Sequence, residues 1–188
     1  MHKVVKWSSN LDLTEFYSDA ASRGFTNNSS QTVLVDCFNK ERESSVWILY
    51  YNDIAIGSVA AHSFDDVMGP NTYRIAARTC ILTDKLPGIY GHHLRTKSII
   101  TENQNPTAQF LIPTCIEWCP KGSRMFITSN DSVVGAQRRV HNIFGPLMER
   151  QGMMKKIKDV EYRGHLQRVW ELIPDKFYEI LNKYPRWV

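Results

Sequence analysis

The sequence predicts an α+β domain, built on a mixed, mostly antiparallel central sheet with helices on both faces. Three observations lead there. Two runs rich in β-branched and aromatic residues, "SVWILYY" and "IAIGSVAAHSF", are separated only by Asn52 and Asp53, which can adopt the positive φ angles of a tight hairpin turn. A third run, "TYRIAARTCILT", follows a short break and extends the pair into an antiparallel meander. Segments with helical apolar spacing fall between these and the other strand runs, and such helices bury their stripes by packing on the sheet faces.

Taken in order, "HKVVKWS" reads as a short first strand. In "NLDLTEFYSDAASRG", Asn10 can cap a helix, Leu13, Phe16, Tyr17 and Ala20 share one face, and Gly24 stops it. "QTVLVDCF" fits helix and strand equally. The meander over residues 45–83 comes next, then a loop that opens the helix "GHHLRTKSIIT". "PTAQFLIPTCIEWC" is a second, proline-interrupted helical piece, and "RMFITSN" is a short buried strand. Residues 131–151 read as a helix with Gly152 just past its end, bent at Gly145 and Pro146. "MMKKIKDVEY" and "HLQRVWELI" form a last hairpin around Arg163 and Gly164. Phe177, Ile180, Leu181 and Tyr184 then make the apolar stripe of a closing helix.

At 188 residues the chain can bury one sizeable core, and no linker or repeat divides it. A single domain over 1–188 is expected, with a C-terminal helical extension at about 174–188. The first residues lack the apolar run of a signal peptide, and no segment has the roughly 20 apolar residues of a membrane helix; a soluble, cytoplasmic protein is expected. Four cysteines are too few for a disulfide framework. A formal charge of +4, spread along the chain, favours anionic partners only slightly.

The loop "ILTDKLPGIYGHHL" carries the strongest functional signal. The first turn of a helix exposes unpaired N–H groups and a partial positive charge, and glycines before it let backbone wrap around phosphate oxygens. Gly88 and Gly91 permit that approach.

The order of elements and the place of this loop resemble the GNAT acetyltransferase superfamily across nearly the whole chain. In that family the fourth strand enters a pyrophosphate loop of pattern Q/R-x-x-G-x-G/A, with a leucine three residues past the last glycine. Gly91 and Leu94 match the end of the pattern, with Leu86 and Ile89 at its earlier marked places; shifted by one residue, Lys85 and Gly88 match its start and Tyr90 takes its end. "VWILYYNDIAIGSVAA" resembles the family's second and third strands, and "MFITSN", a helix and "ERQGM" resemble its fifth strand, fourth helix and the boundary before the sixth strand.

The resemblance implies transfer of an acyl group from acetyl-CoA, or another acyl-CoA, as co-substrate to a small-molecule or peptide amine. It implies contacts to the cofactor from Ile81, Leu82 and Thr83 on the fourth strand, from Lys85, Gly88, Ile89, Tyr90, Gly91 and His92 in the loop, and from Thr128, Ser129 and Asn130 on the fifth strand. Asn142 is a further candidate for the pantetheine arm. Many members protonate the departing thiolate with a tyrosine four residues before the glycine that ends the fourth helix; that place holds Met148, and Tyr90 is the substitute candidate. His62, on the third strand, is the candidate base.

Alternatives are a catalytically inactive GNAT-like binding or assembly domain, and a basic nucleic-acid-binding module. Interleaved acidic residues and the lack of a nucleic-acid motif weigh against the latter. No metal site is expected, because neither Cys115 with Cys119 nor His92 with His93 has zinc-ligand spacing. Arg74 and Arg78 lie an even number apart on a strand, and are expected on one face at a solvated sheet edge.

Overall fold

The computed structural model of the chain describes residues 1–22, 44–80, 107–131 and 140–183. They form β1 (His2–Lys6), α1 (Thr14–Ser22), β2 (Ser45–Tyr51), β3 (Ile54–Ser63), a single turn α2 (Asp65–Met68) and β4 (Thr72–Cys80). A π-helical turn (Thr107–Leu111) runs into α3 (Ile112–Trp118), followed by β5 (Arg124–Ser129). A second π-helical turn (Val140–Phe144) leads into α4 (Gly145–Arg150), then β6 (Met154–Tyr162), β7 (His165–Leu172) and α5 (Pro174–Leu181).

The seven strands form one sheet in the order β1-β2-β3-β4-β5-β7-β6. Every neighbouring pair is antiparallel except β4 with β5. Two-residue turns make the hairpins: Asn52 and Asp53 sit at φ 45° and 65°, and Arg163 and Gly164 at 52° and 76°. Both central residues in each turn are left-handed, which matches the twist of the strands they join. A parallel pair cannot close that way and needs a crossover. The long stretch between Cys80 and Arg124 supplies it.

Strand alternation sorts the core into two layers. On one face Leu49, Val59, Ala61, Tyr73, Ile75, Ile127, Trp170 and Leu172 meet the residues of α3, α4 and α5 in one apolar cluster. On the other face Leu13, Phe16, Tyr17 and Ala20 of α1 cover Val46, Ile48, Ala60 and Ala76. The same face continues under Phe64, Phe126 and Val169. Helices therefore cover both faces, as the sequence predicts.

Local chemistry explains where the elements differ from expectation. Helix α1 starts at Thr14 rather than next to Asn10, because the Asp12 carboxylate accepts the Thr14 N–H at 3.1 Å. That bond also holds the Asp12 pKa below its usual range. Pro113 does not interrupt the piece before β5: it stands in the first turn of α3, where a missing N–H costs nothing. The bend expected at Gly145–Pro146 is the junction of the second π-helical turn with α4. A Cβ on Gly145 would stand 2.5 Å from Trp170 Cζ2 and 2.8 Å from the Val140 carbonyl oxygen, so only glycine lets this junction lie on the buried indole. In α5, Phe177 and Leu181 are buried in the first cluster with Ile180 packed against it; Tyr184, like Gly24, is outside the described residues.

Candidate active site at the parting of β4 and β5

The parallel ladder runs from Thr72↔Arg124 to Ile75↔Ile127 and ends there, although β4 continues to Cys80 and β5 to Ser129. The cause lies in the pairing of β4 with β3. Ser58 faces Thr79 and Ala60 faces Ala76, so Val59 alone opposes both Ala77 and Arg78. An extra residue on one strand bends it and increases its twist. This bulge begins one residue past the last β4–β5 pair, and from there the two strands carry backbone N–H and C=O groups along edges that no longer ladder to each other. The side chain of Arg78, expected to share a face with Arg74, lies outside what is described.

Two groups of polar side chains flank the parting. On the α1 face, Arg74 is 7% exposed, not at a solvated edge as its sequence position suggests. Its Nε–H donates to Thr128 Oγ1 at 2.9 Å, and its guanidinium lies 5.0 Å from the centre of the Tyr162 ring. His62 is 1% exposed. Its Nδ1–H donates to the Ser63 carbonyl oxygen at 2.7 Å, and its Nε2 lies 3.3 Å from Arg74 Nη1, which can only donate. The ring is therefore held neutral. Burial, and after it the Arg74 charge, pull its pKa down to about 3. In this arrangement the Nε2 lone pair that a base would use already accepts a hydrogen bond from Arg74.

On the opposite face Ser129 is fully buried and its Oγ accepts the Trp170 indole N–H at 2.9 Å. The same Oγ lies 3.2 Å from Nδ1 of His141, a partly exposed residue in the second π-helical turn. Asn142, the next residue, is exposed and donates through Nδ2 to Asp131 Oδ1 at 2.7 Å. Met148 is 7% exposed and sits in the apolar cluster.

Of the residues singled out in sequence, His62, Thr128, Ser129, Asn130 and Asn142 are described, and the structure brings His62 and Ser129 to opposite faces of the parting. Ile81, Leu82, Thr83, Lys85, Gly88, Ile89, Tyr90, Gly91 and His92 lie outside the described residues. Arg74, Tyr162 and His141 join Thr128 and Ser129 there without having been assigned to the site in sequence. Among the described residues no cluster of three or more metal-ligating side chains occurs, and no helix is long and apolar enough to cross a membrane.

Several solved structures share this architecture at low sequence identity. The chain is similar to an uncharacterized protein from Bacillus halodurans, with a TM-score of 0.60 at 8% identity over 97% of this chain and 89% of that one. It is similar to aminoglycoside acetyltransferase AAC(6')-Ib in complex with coenzyme A, with a TM-score of 0.56 at 12% identity over 95% and 98% of the two chains. An acetyltransferase from Streptococcus agalactiae gives 0.53 at 15% identity over 92% and 98%. The fold is that of the GNAT acetyltransferases. No family model and no curated protein matches the sequence, so the GNAT fold is recognised here through backbone architecture.

Proposed function

We propose that the protein is an acyl-CoA-dependent N-acyltransferase, using acetyl-CoA to acylate an amine. The observation that carries this reading is the end of the β4–β5 ladder at Ile75↔Ile127, with both strands continuing beyond it. Two diverging edges of backbone N–H and C=O groups suit an extended arm that itself bears amides, as the pantetheine of coenzyme A does. In this reading the arm lies along Thr128, Ser129 and Asn130 on one side and the end of β4 with Ile81, Leu82 and Thr83 on the other. The loop 85–92, with Lys85, Gly88, Ile89, Tyr90, Gly91 and His92, takes the diphosphate, where glycines and helix N–H groups match its charge. Asn142 stands at the start of the helical segment beside the arm. When bound, the thioester supplies an acyl carbon open to attack by an amine nitrogen.

In this reading His62, whose Nε2 faces Arg74 Nη1 at 3.3 Å, holds Arg74 in position and is not a free base. A second reading has its own observation. Met148 is packed in the apolar core at the place where a proton-donating tyrosine would stand, which favours a GNAT fold retained for binding or assembly without catalysis.

Melting curves with and without acetyl-CoA test the first reading. A ligand at 100 times its Kd adds about 2.7 kcal/mol to stability, so a rise of several degrees is expected, lost in Gly91→Glu. No rise at saturating acetyl-CoA removes the proposal. Acyl transfer to any member of an amine panel removes the second reading.

A further inference from the structure

We propose that His141 is the proton donor to the departing sulfur, held for that task by Ser129 and Trp170; the inference rests on the acyltransferase reading above. In the reaction the carbon–nitrogen bond forms, the carbon–sulfur bond breaks and its electron pair stays on sulfur. The amine must lose one proton and the sulfur must gain one. Met148 has none to give, and His62 faces the other side of the sheet with its Nε2 occupied by Arg74.

His141 meets three requirements. It stands against Ser129, the last residue of β5, beyond the point where β5 leaves β4. It is partly exposed, so its ring can exchange protons with solvent. One of its nitrogens is anchored. The Trp170 indole can only donate, so it takes one lone pair of Ser129 Oγ at 2.9 Å; Nδ1 of His141 lies 3.2 Å from the same oxygen, and in the imidazolium form, which has N–H on both nitrogens, it donates to the other lone pair. Nε2 is left as the nitrogen that gives up a proton. The donor is the imidazolium form, which becomes the neutral Nδ1–H ring without disturbing the bond to Ser129. Solvent takes up the proton shed by the amine and recharges Nε2, so the step balances. Gly145 belongs to the same device, since a side chain there would push the π-helical turn away from Trp170.

Imidazole 15N NMR of the full chain tests this without any acceptor, with His141 assigned through the His141→Gln spectrum. Coenzyme A and its desulfo analogue are the probes. The Nε2 resonance of His141 is expected to move by several ppm more with coenzyme A than with the desulfo analogue, while His165 responds equally to both. Ser129→Ala is expected to leave the ring as a mixture of both tautomers, a spectroscopic change that loss of packing alone does not produce. Equal responses of His141 to the two probes, with backbone amide shifts proving that both bind, would overturn the assignment and leave the acyltransferase reading intact. If neither probe perturbs any resonance, that reading falls and the assignment falls with it. In a transfer assay, His141→Gln is expected to lower kcat about 100-fold with little change in KM; an unchanged kcat contradicts the proposal.

Discussion

The two ends of the β4–β5 pair differ in kind. From Thr72 to Ile75 the strands are laddered, their side chains on one face bury in a continuous apolar cluster, and Arg124 beside the first pair forms a two-pronged ion pair with Glu171 at 2.7 and 2.8 Å. From Ala76 and Thr128 onward the ladder is gone, and polar side chains pair on both faces around its end: Thr128 with Arg74, which is still within the ladder and faces His62, and Ser129 with Trp170 and His141. Burying polar groups is costly unless they are paired. In the acyltransferase reading, this is the end of the strand pair that binds the cofactor.

Substitutions can break this contrast in a graded way. The largest effect is expected where the open end rests on the apolar cluster: Trp170→Ala removes a fully buried indole and should cost about 3–5 kcal/mol in denaturant unfolding. Gly145→Ala forces a methyl into Trp170 and should cost about 1–3 kcal/mol.

The buried histidine gives a pH signature of similar size. His62 has a pKa lowered to about 3 when folded and near 6.5 when unfolded. The unfolded chain therefore binds more protons between these values, and stability is full above pH 6.5 and lost as pH falls toward 3. About 2 kcal/mol should disappear between pH 6.5 and 4.5, and His62→Gln should flatten that slope. The smallest effect is at the closed end, where Arg124 is half exposed. Arg124→Ala should cost under about 1 kcal/mol; a larger loss would mean that the ion pair, and not the ladder, holds the strands together.

The closed regions of the fold were the legible ones. Asn52–Asp53 and Arg163–Gly164 announce their turns by residue type, and the apolar spacing of α1 and α5 names the residues they bury, because these signals are local. The site was less legible because two irregularities shift its phase. The bulge at Ala77–Arg78 breaks the regular alternation of β4. The π-helical turn Val140–Phe144 has a period different from a regular helix, so regular helical spacing does not announce that His141 is the side chain against Ser129. Arg74 was misplaced for another reason. Alternation assigns a strand residue to a face and is silent on what covers that face, and here Tyr162 from a distant hairpin does so. A histidine beside Asn142 just after the fifth strand was the available signal for the second group.

The central claim, that the parted edges of β4 and β5 receive coenzyme A, is tested most directly by amide hydrogen exchange of the full chain with and without acetyl-CoA. The account predicts slower exchange on ligand addition across Ala76–Cys80 and Thr128–Asn130, with Thr72–Ile75 and Arg124–Ile127 unchanged. Exchange at the parted edges that stays the same at saturating acetyl-CoA would contradict it.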